Sequence, residues 1–134
     1  MKEEQSQIHE FYLTPYPRKL WVSEPVDAKS INDLFETKDG GNVLFSGDFL
    51  KGIMKTSSVI RKEDSLNGYL ILILSRDALP EHSAHESFHA VCRLFDDMGD
   101  GLSYDCQEPA AYMIQYIFSC IEQVRTGNFK KEDE

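Results

Sequence analysis

Tyr69-Leu70-Ile71-Leu72-Ile73-Leu74, carried through Ser75-Arg76-Asp77-Ala78-Leu79 into Pro80-Glu81-His82-Ser83-Ala84-His85-Glu86-Ser87-Phe88-His89, is the stretch on which the fold turns. A short apolar run with little polar interruption reads as a buried strand, and it is far too short to cross a bilayer. Pro80 suits the first turn of a helix. Phe88, Val91, Cys92 and Phe95 continue an apolar stripe until Asp96-Asp97-Met98-Gly99 stops it. Strand then helix is therefore the central unit.

Working outward, a loop rich in Gly, Asp and Ser spans 99–105, and a second helix is expected from Pro109 to about Arg125. Ile114, Ile117, Phe118, Ile121 and Val124 give it a core face, while Glu108, Ala111, Tyr112 and Gln115 define a neighbouring one. Upstream, Phe11-Tyr12-Leu13 and Lys19-Leu20-Trp21-Val22-Ser23 are strand-like, separated by Thr14-Pro15-Tyr16-Pro17. Ala28 to Phe35 has apolar residues at helical spacing, and Lys38-Asp39-Gly40-Gly41-Asn42 ends it. Val43-Leu44-Phe45, a partly alternating stretch from about Ile53 to Arg61, and Tyr69 to Ser75 then predict an antiparallel meander. The fold class is α+β: a small, mostly antiparallel sheet packed on the two long helices. At 134 residues the chain is expected to form a single domain, 1–134, with frayed ends at about 1–9 and 127–134.

Composition excludes several classes. Hydrophobic residues make up 41% and charged ones 28%, as in ordinary globular chains rather than disordered or membrane ones. A net charge of −9 with scattered basic residues disfavours direct nucleic-acid binding, which needs clustered Lys and Arg. The three cysteines, Cys92, Cys106 and Cys120, show no C-x-x-C spacing and no disulfide framework. Met1-Lys2-Glu3-Glu4-Gln5-Ser6-Gln7 lacks the apolar core of a secretory signal, so the expected location is intracellular and cytoplasmic, with no membrane partner.

His85-Glu86-Ser87-Phe88-His89 is an H-E-x-x-H. Residues four apart on a helix share a face, so His85 and His89 can offer two imidazole nitrogens to one zinc ion. Glu86 beside it can act as general base toward an activated water. A bland alternative stands next to this: Ser83 and Glu86 also form S-x-x-E, a capping box that requires the helix to start near Ala84. Glu108 follows His89 by nineteen positions, at the N-terminal end of the second helix, where the macrodipole alone favours a carboxylate. Cys106 is a rival ligand. His82 reads as a first-turn histidine, and His9 as surface.

The order of sheet, motif helix, loop and glutamate-bearing helix, together with Glu108-Pro109-Ala110-Ala111 as an E-x-x-A, resembles the zincin metallopeptidases. Within them it is similar to the gluzincins, and most to the compact single-domain minigluzincins, over about Gly68 to Val124. The resemblance implies zinc bound by His85, His89 and Glu108, Glu86 as base, and hydrolysis of a peptide bond in a peptide or protein substrate. It also implies that the strand before the motif helix, 69–75, guides that substrate if it lies at a sheet edge. Many gluzincins carry an aspartate four residues after the ligand glutamate, to orient a histidine; this chain has Tyr112 there. Tyr112, Tyr104 and His82 are the candidates for that orienting role or for donating to the oxyanion. The alternative function is a catalytically inactive zincin-like module that binds metal or a protein partner. The sequence leaves the oligomeric state open.

Overall fold

The computed structural model describes residues 6–130. In chain order its elements are β1 (Ile8–Tyr12), β2 (Lys19–Ser23), α1 (Ala28–Asn32), β3 (Phe35–Glu36), α2 (Asp48–Lys51), β4 (Met54–Arg61), β5 (Asn67–Ile73), α3 (Pro80–Asp97) and α4 (Glu108–Thr126). Five strands form one mixed sheet in the order β1-β2-β5-β4-β3. Among the described residues only the β2–β5 pair is parallel. The α+β class expected from the sequence is thus what the chain adopts.

The apolar run explains the layering. β5 has a ladder on each side, and alternate residues enter two different cores. Tyr69, Ile71 and Ile73 join Leu20 and Val22 beneath α3 and α4, against Val91, Leu94, Ile117 and Ile121. Leu70 and Leu72 face the other way, toward Trp21, Ile31, Phe35, Val43 and Leu44. A strand covered on both faces cannot alternate, which is why 69–74 reads as a continuous hydrophobic run. For the same reason it is interior. The expectation that 69–75 might guide a substrate at an edge is corrected: the outer strands are β1 and the short β3, and because β3 pairs with β4 only at Ile60 and Arg61 among the described residues, the outer side of β4 has no strand partner from Met54 to Val59.

Other boundaries shift for local reasons. Val43-Leu44-Phe45 is not a strand. The Asn32 side chain accepts from the Val43 and Leu44 amides and donates to the Leu44 carbonyl, holding this loop so that two apolar side chains cap the sheet. The hairpin β4–β5 forms as expected, but β5 returns beside β2 rather than closing a meander. Residues 8–9 are paired with Val22 and Ser23, and the His9 ring stacks on Phe129 at 4.9 Å, so these parts of the segments expected to fray are held, while 1–5 and 131–134 lie outside the described residues. Gly127, at φ 75°, closes α4 in the left-handed region that favours glycine, and the Lys130 amide donates to Gln123 Oε1.

Candidate metal centre

Helix α3 begins at Pro80, so Glu86 stands well inside it and the capping-box reading fails. Ser83, which that reading needed at the cap, is fully buried and donates instead to Glu122 Oε2 on α4 at 2.7 Å. The start is secured by His82, whose Nδ1 accepts the Leu79 backbone N–H at 2.9 Å. Small side chains at Ser83, Ser87 and Ala90 line the buried stripe of α3. Phe88, expected within that stripe, is half exposed. The opposite, open side carries the histidines.

His85 and His89 are exposed, and their rings meet edge to face with centroids 4.7 Å apart. Their Nε2 atoms lie 3.1 Å from each other. Two nitrogens each about 2.0–2.1 Å from one tetrahedral ion stand about 3.3 Å apart, so the separation of the pair, which is also that of a hydrogen bond between the rings, is close to that of two ligands on one zinc. Glu86 Oε2 lies 3.8 Å from His85 Nε2. Potential ligand atoms of His85, Glu86 and His89 all fall within 4.8 Å of one another. The donor set, two imidazoles and a carboxylate, is that of a borderline-soft ion such as zinc.

Glu86 is not a free surface carboxylate. Its side chain is 12% exposed, between α3 and β4. Thr56, on the helix-facing side of β4, donates from Oγ1 to Glu86 Oε1 at 2.7 Å. Beside it Ile53, Met54, Glu81, His82, His85 and Glu86 line an open groove of about 320 Å³. Of β4, Met54 lines that groove. Thr56, Ile53 and Met54 are the site neighbours that the sequence reading missed, because nothing local marks a strand threonine as the partner of a residue thirty positions later.

The remaining candidates are placed elsewhere. Glu108 opens α4 and is exposed; its carboxylate is outside the converging group, and it carries no hydrogen bond or ion pair among the described residues. Tyr112 lines a separate groove of about 560 Å³ with Tyr12, Pro15, Tyr16, Pro109 and Tyr116. Tyr104 is 95% exposed and lines a third groove, with Phe88, Leu102 and Gln107. Neither tyrosine lines the groove beside His85, whereas His82 does. Cys106 is exposed and also outside the group, Cys120 is buried with its thiol pushed up to about 12 by desolvation, and Cys92 is half-buried. No helix of the described residues is long and apolar enough to cross a membrane.

Comparison with known proteins finds no family model, no curated protein and no solved structure that matches the chain. The convergence of His85, Glu86 and His89 therefore stands on its own geometry.

Proposed function

We propose that the chain is a zinc-dependent peptidase of the gluzincin type, with His85, His89 and Glu108 as metal ligands and Glu86 as general base. The observation that carries this reading is the 3.1 Å approach of the two Nε2 atoms with a carboxylate of Glu86 alongside. Zinc, when bound, supplies a Lewis acid that polarises a carbonyl and lowers the pKa of water. His85 and His89 hold it as neutral imidazoles. Glu86 accepts the proton of the attacking water and returns it to the departing amine. The open edge of β4 from Met54 to Val59 offers backbone groups to an extended peptide, which would lie along the groove beside His82 and His85. Glu108 is the third ligand by the gluzincin resemblance, although its carboxylate lies outside the converging group.

A second reading, a metal-binding or protein-interaction module without turnover, is favoured by the position of Glu108 outside the cluster. Substitutions separate the two. Purified protein supplied with zinc is expected to retain about one equivalent, His85→Ala and His89→Ala to lose it, and Glu108→Ala to bind about ten- to a hundredfold more weakly. Glu86→Gln is expected to keep zinc and lose peptide cleavage. If wild-type protein takes up no zinc, the peptidase reading is wrong and only a metal-free interaction module is left. Cleavage that persists undiminished in Glu86→Gln would leave only the module.

A further inference from the structure

We propose that Thr56 is a positioning residue that keeps Glu86 a base rather than a metal ligand, by fixing which carboxylate oxygen faces the histidine pair; this deepens the peptidase reading and rests on it. Glu86 follows one histidine directly and precedes the other by three residues, and one of its oxygens is already 3.8 Å from His85 Nε2. A carboxylate at that distance is itself a good ligand for zinc-like ions. Something must hold it back.

The tether is on the sheet. Thr56 lies opposite Ile71 in the β4–β5 ladder, on the face covered by α3, and is 9% exposed. Its Oγ1 is 2.7 Å from Glu86 Oε1 but 3.4 Å from the Glu86 carbonyl oxygen, so the hydroxyl proton is committed to the carboxylate. A β-branched residue on a strand has a stiff χ1, which makes this donor a fixed point. Oε1 is thereby held on Thr56, and Oε2 is the oxygen that lies 3.8 Å from His85 Nε2. A buried threonine hydroxyl needs a partner in any case, and here that partner is the carboxylate beside the histidines, while Arg93 reaches Ser58 across the same interface.

Cobalt(II) makes the arrangement visible, since its visible absorption depends on the number of ligands. The full chain would be loaded with one equivalent of Co²⁺ as wild type, Thr56→Val, Thr56→Ala and Thr56→Ser. Thr56→Val and Thr56→Ala are expected to change the absorption band and to bind Co²⁺ about tenfold more tightly, at the lower end of what outer partners of a site carry. Thr56→Ser is expected to restore the wild-type spectrum, and adding Glu86→Gln to Thr56→Val to abolish the change. Identical spectra and dissociation constants across wild type, Thr56→Val and Thr56→Ala overturn the role of Thr56 while leaving the metal centre intact. Failure of the wild type to take up Co²⁺ or zinc overturns the metal reading itself, and the proposal with it.

Discussion

His82 and His85 lie one turn apart on α3, share one groove, and have different tasks. The Nδ1 of His82 accepts the Leu79 amide, satisfying one of the donors left without an intrahelical partner at the helix start, while His85 turns its Nε2 to His89. Replacing His82 by alanine is therefore expected to cost about 1 kcal/mol of stability, in the range of other lost helix caps, with zinc uptake unchanged. Urea denaturation beside elemental analysis separates this from His85→Ala, for which zinc is lost; zinc lost equally in His82→Ala would make His82 a ligand instead. At this scale the sequence was informative where the relation is local. Four residues on a helix always return to one face, so His85 and His89 could be paired from spacing alone. Ser83 offered a rival pattern for the same reason: S-x-x-E is local, whereas the partner Ser83 takes, Glu122, is 39 positions away. Glu86 and Thr56 were unreadable as a pair because strand registers are not written in local spacing.

Among the elements, β5 places the motif, since the chain leaves its end and enters α3 within a few residues. Its partner β2 runs so close at Lys19↔Gly68 that a Cβ on Gly68 would stand 2.5 Å from Trp21 Cζ3 and closer still to the Lys19 carbonyl oxygen. No rotamer relieves a clash with backbone. Gly68→Ala is expected to destabilise the protein by about 1–3 kcal/mol, read as a lower midpoint in urea, and a midpoint equal to wild type would mean that β2 and β5 are not paired in this register. The length and apolar character of 69–74 did show a buried strand in the sequence. Its position was legible too, in principle, because a run with no polar alternation has no face to leave in water and so belongs in the middle of a sheet. Val43-Leu44-Phe45 looked similar over three residues but is held by side-chain bonds from Asn32, and a three-residue apolar patch carries no sign of which polar side chain will satisfy its backbone.

Over the whole molecule, the two outer parts of the sheet are tied by Arg61 of β4, which bonds Glu10 of β1 at 2.6 Å and Asp64 at 2.6 Å and lies over the Trp21 ring. Burial alone would raise the Glu10 carboxyl, but the Trp21 indole N–H and the Arg61 guanidinium outweigh it and hold the group below the ordinary glutamate range. Arg125, against burial and with help from Ser83, holds Glu122 down in the same way. Lowered carboxyls stabilise the fold above the unfolded value of about 4.3, and that contribution fades as pH falls through it toward the folded value. His9 acts in the same direction at higher pH. Burial, opposed by Glu24, lowers it, so the unfolded chain takes up the proton more readily and stability declines as pH drops through about 6.5. Arg61→Met, which keeps an apolar body over Trp21 while removing the charge, is expected to cost about 1 kcal/mol at pH 7 and low salt. The deficit should shrink as pH falls below about 4.3, because a protonated Glu10 no longer distinguishes the two proteins, and it should shrink in high salt at pH 7, because the pair is partly exposed. Unfolding midpoints of both proteins between pH 7 and 3 test this. A deficit constant across that range would assign the role of Arg61 to its guanidinium over the Trp21 ring, which no carboxyl titration alters, instead of to its pair with Glu10, whereas the decline attributed to His9 must appear in both proteins alike.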